Sequence, residues 1–187
     1  MAKSRCRPTS RVVEPLLQDA VLAFIPLKLN RENVVMKVMV IGATGYIGSA
    51  VARTFASHGH TVHGLARNPE NSQALRNVGI CPVEVTLNDY GRFRDLLVPY
   101  DVVVMAATVS FDDEDPLVRA LIDAYRGPGR HFLLTSGTGI LGIGSEDGRW
   151  DQNTFAEDDP FPFPARTLRA VRLPTEGSVA KIGGSQR

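Results

Sequence analysis

Three glycines at three-residue intervals, Gly42, Gly45 and Gly48, form the pattern in this sequence that points most directly to chemistry. They follow an apolar run at 36–41 and open a segment with helical periodicity. In such a unit the first glycine permits a tight turn, the second lets the backbone approach a phosphate, and the third lets the helix pack close to the strand. Unsatisfied N–H groups and the positive end of the helix dipole then attract an anion. The pattern therefore predicts a loop that binds the pyrophosphate of NAD(P), and the alternative is a turn whose glycines serve packing alone.

A second candidate residue, Arg67, directly follows the next apolar run, at 61–66. At this position of a dinucleotide-binding unit an acidic side chain receives the ribose 2′-hydroxyl of NAD, whereas an arginine accommodates the 2′-phosphate of NADP. The alternative is a solvated arginine at a strand end. The sequence therefore favours NADP as the cofactor and leaves NAD open.

Short apolar runs alternate with helical segments from residue 36 onwards, which is typical of a parallel sheet covered on both faces. The predicted strands are 36–41, 61–66, 81–86, 101–107 and 131–136, and the predicted helices are 46–58, 69–78, 89–98 and 114–126. Asn68 and Asp115 each precede a proline, as a helix cap precedes a first-turn proline, and Gly59, Gly79 and Gly127 stand where helices should end. With right-handed crossovers, the predicted fold class is α/β: a Rossmann-like doubly wound parallel sheet in the order 3-2-1-4-5, within three α/β/α layers.

The chain is long enough for one hydrophobic core, with 187 residues of which 43% are hydrophobic. We expect an N-terminal extension at 1–35, with its order left open, and one nucleotide-binding domain at 36–187 with an irregular tail. Residues 140–165 are rich in glycine and proline and are predicted to be a loop. Residues 166–180 have helical potential, but Pro174 and Gly177 oppose a single long helix.

The charge balance favours a small-molecule substrate or a nucleotide cofactor as the partner. Lys and Arg total 21 against 20 for Asp and Glu, so the chain has no general field that would attract nucleic acid or anionic lipid. No run of 18 apolar residues occurs, so no membrane span is expected. Cys6 and Cys81 lack metal-ligand spacing and fit a reducing, cytoplasmic compartment. His58, His60 and His63 cluster near the start of the second strand, opposite the expected cofactor edge, so no metal site is predicted.

Four segments of the chain together resemble the extended or atypical short-chain dehydrogenases/reductases, the NAD-dependent epimerase/dehydratase group. They are the glycine loop at 42–48, Leu65-Ala66-Arg67-Asn68-Pro69, the strand at 101–107 and the run at 134–139. The resemblance covers about residues 36–180 and is specific in its first half. It implies a cofactor whose pyrophosphate lies at Gly42, Thr44, Gly45, Tyr46, Ile47 and Gly48. It further implies that the adenosine phosphate lies at Arg67 and Asn68 and the adenine at Leu87. The nicotinamide half would lie at Ala106, Ala107 and Thr108. The family often has an Asp where this chain has Thr86, which implies an altered adenine contact.

The catalytic part of the resemblance is incomplete. The family usually works with a Ser or Thr after the fifth strand and a Tyr-x-x-x-Lys pair on the following helix, in which the lysine lowers the pKa of the tyrosine. This chain has no tyrosine after Tyr125. Ser136 and Thr138 are the candidates for positioning a substrate oxygen, while Gly137 stands nearest to the position of the family's catalytic hydroxyl. The alternative role of both hydroxyls is to cap the strand end.

The C-terminal part of the chain carries two further predictions. Arg172 and Glu176 lie four residues apart in a segment that loosely resembles an Arg-x-x-x-Glu helix of atypical family members without the tyrosine pair. Pro174 weakens this resemblance, and we expect the two residues to form a surface ion pair worth under about 1 kcal/mol. The family normally continues with two more strands and a small substrate domain, so the chain is interpreted as a C-terminally shortened member. A homodimer partner or the extension at 1–35 would then cover the exposed edge of the fifth strand.

Three functional hypotheses follow from these residues. The first is an NADP-linked oxidoreductase or epimerase/dehydratase relative acting on a small carbonyl or hydroxyl substrate, with the hydride chemistry carried by the cofactor. The second is a non-catalytic NADP(H)-binding or sensing module, favoured by the missing Tyr-x-x-x-Lys pair. The third is a shortened member with no retained activity. The family resemblance favours an enzyme, although fold alone does not decide among the three.

Overall fold

A computed structural model describes residues 34–85, 90–137 and 167–184 of the chain. Strands and helices alternate along these residues, as the hydrophobic periodicity predicts. The strands are β1 (Lys37–Ile41), β2 (Thr61–Ala66), β3 (Cys81–Glu84), β4 (Val102–Met105) and β5 (His131–Leu134). The helices are α1 (Tyr46–Ser57), α2 (Pro69–Asn77), α3 (Tyr90–Leu97), α4 (Phe111–Tyr125) and α5 (Thr167–Gly184).

The five strands form one parallel sheet in the order β3-β2-β1-β4-β5, flanked by helices. Val40 of β1 is opposite Gly64 of β2 on one side and Val104 of β4 on the other, so β1 lies at the centre of the sheet. This arrangement confirms the predicted α/β class and strand order. Because the strands are parallel, the residues that follow β1, β2 and β4 leave the sheet at the same edge, which is where ligands bind in this architecture.

The core forms around the central strand. Val38, Val40 and Phe55 are fully buried, and the small Ala52 on α1 is buried with them. Strands buried on both faces explain why the sequence shows continuous apolar runs here and no alternation of polar and apolar residues.

The described residues fall into two compact units. The first contains all five strands and comprises residues 34–108 and 120–135. The second comprises 109–119, the residues just after β5, and α5. The expected division into an extension at 1–35 and a single domain at 36–187 stays a prediction.

The observed helix caps agree with the predicted cap of α2 and differ from the predicted cap of α4. Asn68 caps α2 as predicted, because its side chain accepts a hydrogen bond from the Asn71 N–H at 2.8 Å and Pro69 follows it. The predicted cap at Asp115 was wrong, whereas the predicted helix itself is present. Ser110 caps this helix by accepting from the Asp113 N–H at 3.2 Å and donating to its carboxylate at 2.6 Å. The helix therefore begins before the predicted cap, and Pro116 lies inside it.

The prediction that Pro174 and Gly177 prevent a long helix was also wrong. Both residues lie within α5, a single helix of 18 residues. Side chains next to Pro174 bond to α4: Arg172 to Glu114 at 2.7 Å and Thr175 to Asp115 at 3.1 Å. These tertiary bonds offset the backbone hydrogen bond that proline cannot make.

Several sequence expectations concern metals, membranes and cysteines. In the described ranges, no group of three His, Cys, Asp or Glu side chains could hold a metal ion. No helix among these residues has the length and apolar character needed to cross a bilayer. Cys81 is disulfide-bonded in this structure. The cytoplasmic compartment stays a prediction.

His63, on β2, should make the stability of the first unit depend on pH. Its Nδ1 is buried and has no hydrogen-bond partner among the described residues, and its ring meets that of Tyr100 edge-on, with 5.3 Å between centroids. Burial lowers the pKa of His63 from 6.5, and the charge of Lys37 lowers it further. The unfolded chain therefore binds a proton more readily than the folded chain. The free energy of unfolding should fall as the pH drops below 6.5 and change little from this source above it.

Urea titrations between about pH 5 and 8 would measure this dependence. His63→Phe should lose less stability on acidification than the wild type, because the ring is kept and the titrating nitrogen is removed. His60, whose pKa is lowered by burial and by His58, should retain part of the slope. His58→Gln, at an exposed position, removes the charge that acts on His60 and so measures the share of the slope that belongs to His60. An undiminished slope in His63→Phe would contradict the prediction.

Candidate functional site

The glycine loop lies against the end of β4. Gly42 has φ +94°, a conformation that other residues rarely adopt. A Cβ added to Gly42 would lie 2.6 Å from both the carbonyl carbon of Ala106 and the nitrogen of Ala107. The Ala106 N–H donates to the Ile41 carbonyl at 2.8 Å, which holds the two segments at this separation. The first glycine is therefore required both by its backbone conformation and by the close approach of β4.

The other two glycines have different roles. A Cβ on Gly48 would collide with the Gly42 carbonyl oxygen, so the third glycine allows α1 to start directly beneath the loop. Gly45 has an ordinary extended backbone with φ −81°, and a Cβ there would meet only the Gly42 oxygen, at 3.3 Å. This contact is tight but involves one atom, so the fold demands a glycine less strictly at position 45 than at 42 or 48. The missing side chain of Gly45 leaves open the outer surface of the loop, where the N–H groups of α1 begin.

The N-terminus of α1 is open to an anion. Among the residues that the structure describes, no side chain caps this helix, and its first turn contains no acidic residue. In contrast, Asn68 caps α2 and Ser110 caps α4, and both of those helices have acidic residues in the first turn. Thr44 to Ile47 are exposed, with Tyr46 95% exposed. Uncapped N–H groups, a helix dipole without a local counter-charge and an unobstructed approach fit the pyrophosphate of a dinucleotide.

Arg67 is exposed directly after β2, the strand beside β1. Among the described residues it has no hydrogen-bond or ion-pair partner, so its guanidinium is not committed to an internal contact. Asn68 is partly committed, because its side-chain oxygen caps α2. Gly64 brings β2 close to the glycine loop, since a Cβ at Gly64 would lie 2.8 Å from that of Ala43. Arg67 thus follows the strand that packs beside the loop, as expected for a ribose-phosphate contact.

The structure brings most of the predicted cofactor residues into the first unit. Ala106, Ala107 and Thr108 follow β4, with the two alanines half-buried and Thr108 exposed. Leu87, the predicted adenine contact, lies outside the described residues, as do Thr86 and the candidate catalytic Thr138. The assignment of these positions to the cofactor or the substrate stays a prediction.

The two tyrosines nearest to β4 and β5 cannot replace the missing catalytic pair. The Tyr125 hydroxyl donates to the Tyr100 carbonyl at 3.1 Å, and both residues are buried. Burial raises the pKa of Tyr100 to about 12 and also raises the pKa of Tyr125. Both residues serve packing, because neither phenol would exchange a proton readily near neutral pH.

The predicted ion pair of Arg172 with Glu176 was wrong. Arg172 bonds instead to Glu114 of α4, with its Nη2 2.7 Å and its Nε 3.1 Å from the same carboxylate oxygen. Glu114 is buried, and the sequence analysis did not single it out although it lies in the predicted helix. The Ser110-x-x-Asp113 cap was the signal that could have shifted the helix start. Nothing in the sequence indicates the pairing with Arg172. In the same unit, Ser136 is exposed and Gly137 is half-buried.

Comparisons with known proteins agree with this geometry. Residues 42–158 match the model of the NAD(P)H-binding family, which is more than half of the chain. An uncharacterised protein of Schizosaccharomyces pombe is 27% identical over 155 residues, covering 79% of this chain and 52% of its own length. A phenylcoumaran benzylic ether reductase of Ginkgo biloba is 37% identical over 108 residues, covering 53% of this chain and 35% of its own length.

Two solved structures share the fold. An NADPH-dependent quinone oxidoreductase from Escherichia coli, in complex with NADPH, superimposes with a TM-score of 0.54 at 19% identity, covering 78% of this chain and 46% of that one. An isoflavone reductase does so with a TM-score of 0.52 at 18% identity, covering 82% of this chain and 47% of that one. The chain spans about half the length, or less, of these relatives. It belongs to the NAD(P)H-binding family, within the atypical short-chain dehydrogenases/reductases.

Proposed function

We propose that this chain binds NADP(H) and is part of an NADP-linked oxidoreductase that acts on a small carbonyl or hydroxyl substrate. The observation that carries the proposal is the open N-terminus of α1 behind Gly42, Gly45 and Gly48, with Arg67 at the end of the neighbouring strand. The similarity to reductases supports the reaction class, and the similarity in fold to an oxidoreductase bound to NADPH supports the cofactor. A relationship to epimerases and dehydratases is the less supported form of the same proposal.

The chain's own residues would bind and orient the reactants. When bound, the nicotinamide supplies or accepts a hydride. The N–H groups of the glycine loop would hold the pyrophosphate, and Arg67 would neutralise the 2′-phosphate. Thr108 and the neighbouring alanines would limit the space beside the nicotinamide half. Ser136 and Thr138 would hold a substrate oxygen by hydrogen bonding, which would orient the reacting carbon of the substrate toward the nicotinamide.

Calorimetric titration with NADPH and NADH tests cofactor binding, with Gly45→Ala as the informative variant. We expect the variant to stay within about 0.5 kcal/mol of the wild type in free energy of unfolding, because the added Cβ meets only one oxygen and the backbone is not strained. Its NADPH Kd should rise about tenfold or more, because the methyl group stands where the pyrophosphate must approach. Unchanged affinity in a folded variant would contradict this site.

A non-catalytic NADP(H)-binding module is the second candidate. It is favoured by the absence of a tyrosine after Tyr125 and by the burial of Tyr100 and Tyr125. Absorbance at 340 nm with NADPH and a panel of carbonyl compounds separates the two candidates, since hydride transfer to any compound rules out the second. Turnover that survives combined Ser136→Ala and Thr138→Val would exclude the roles given to these hydroxyls. A chain that binds neither nucleotide would be a member with no retained activity.

The proposed partners follow from the same site. A small-molecule substrate and the nucleotide are proposed as the only ligands, and a homodimer is proposed as the assembly. Within the described residues β5 pairs on one side only, with β4, so its other edge could meet a second copy. Light scattering of the purified chain would measure the assembly.

A further inference from the structure

Arg172 of α5 occupies the space that the missing side chain of Gly137 leaves. A Cβ added to Gly137 would lie 2.6 Å from Nη1 of Arg172. Arginine side chains usually move aside from such a contact at little cost. Here the guanidinium is held, because Nε and Nη2 both donate to one carboxylate oxygen of Glu114.

The burial of this ion pair makes the contact rigid. The side chain of Glu114 is 9% exposed and that of Arg172 is 21% exposed. Charge-assisted hydrogen bonds to a buried carboxylate are among the stronger protein hydrogen bonds, and breaking one partner leaves a buried charge without compensation. The guanidinium plane is therefore fixed by α4, and its Nη1 edge is fixed against the backbone of Gly137.

Gly137 directly follows Ser136, the residue proposed to hold a substrate oxygen. Both residues come just after β5 in the chain, and the segments that leave the carboxyl ends of parallel strands carry the ligand contacts in α/β sheets. A rigid neighbour at Gly137 restricts the backbone that presents the Ser136 hydroxyl. Small displacements of such a group lower the rate of reaction strongly.

We propose that Arg172 is a positioning residue that, clamped by Glu114, fixes the Ser136 and Gly137 segment for the reaction. The inference rests on the proposed oxidoreductase function. It gives the Arg172–Glu114 pair a role beyond joining two helices. The role is confined to the substrate side, so it makes no demand on cofactor binding.

The chain offers a matched control for the structural role alone. Thr175 donates to Asp115 at 3.1 Å and so joins the same two helices without contacting Gly137. Thr175→Val removes this bond while Asp115 keeps Arg119 as a partner at 2.7 Å. Gly137→Ala is the main test, because it displaces Nη1 while leaving both charges of the pair in place. Gly137 is not among the glycines with positive φ, so alanine should not strain its backbone.

Nuclear magnetic resonance of the ligand-free chain gives a readout that is independent of activity. We expect Gly137→Ala and Arg172→Met to shift the Ser136 amide and to remove or broaden the Arg172 Nε–H signal that the bond to Glu114 protects, after allowance for the substitution itself. Thr175→Val should leave both signals in place. Equal shifts in Thr175→Val, or no shift in Gly137→Ala, would overturn the proposal.

Kinetics and calorimetry separate the positioning role from the proposed function. With a carbonyl compound that the wild type reduces, Gly137→Ala should lower kcat about 10- to 100-fold, with KM and the Kd for NADPH changing little. Arg172→Lys should recover part of the Arg172→Met loss. A wild type that fails to bind NADPH would refute the proposed function. A wild type that binds NADPH but reduces no compound in the panel, or a kcat loss as large in Thr175→Val, would refute the positioning role alone.

Discussion

Gly42→Ala should lower the free energy of unfolding by about 3 kcal/mol or more and abolish NADPH binding. Two effects add. A side chain at φ +94° strains the backbone by about 1–3 kcal/mol. The methyl group would also lie 2.6 Å from backbone atoms of Ala106 and Ala107, and overpacking of this kind costs about 1–3 kcal/mol. The contacts are backbone atoms just after β4, where the Ala106 N–H is bonded to the Ile41 carbonyl, so they cannot move aside as a flexible side chain would.

Gly59→Ala is the matched control for this prediction. Gly59 also has a positive φ, of 84°, but a Cβ there would meet no described atom within 4 Å. The Gly59→Ala variant should lose about 1–2 kcal/mol of its free energy of unfolding, from backbone strain alone. It should bind NADPH as the wild type does. Urea unfolding followed by circular dichroism, with calorimetry for the nucleotide, measures both variants. Equal destabilisation of the two would show that the close approach of β4 contributes nothing.

Arg67→Glu should weaken NADPH binding about 10- to 100-fold while leaving NADH binding little changed. The guanidinium is exposed after β2 without a described partner, so its replacement breaks no internal bond. A charged hydrogen bond to the 2′-phosphate contributes about 1.5–3 kcal/mol, and a carboxylate in its place adds repulsion. NADH lacks this phosphate. The Kd for NADH divided by the Kd for NADPH should therefore fall toward one or below it.

Arg53→Glu, at an exposed position on α1, is the control for net charge. It changes the charge of the chain by the same amount as Arg67→Glu but lies away from the start of the helix. Its effect on NADPH should be small and should vanish as ionic strength rises. Equal weakening of NADPH and NADH by Arg67→Glu would indicate a general electrostatic effect and would leave the preference for NADP without support.

The sequence by itself determined the sheet and the glycine loop. The apolar runs, the glycines at 42, 45 and 48 and the cap at Asn68 each act over a few residues, so their patterns specify local structure directly. The strand order follows from these elements because right-handed crossovers leave few arrangements. The three glycines were predicted from spacing, whereas the structure shows that the fold requires Gly42 and Gly48 far more strictly than Gly45.

Only the tertiary structure decided the arrangement in the second unit. Pro174 and Gly177 oppose a helix locally, yet α5 runs through both while bonds from Arg172 and Thr175 hold it on α4. Arg172 has an acidic residue one helical turn away, at Glu176, but bonds to Glu114, which lies 58 residues away in the chain. A local sequence pattern indicates only which residues close in the chain could pair. The partner of a buried carboxylate depends instead on how the two helices pack. That packing is a property of the folded chain, so the sequence pattern could not reveal it.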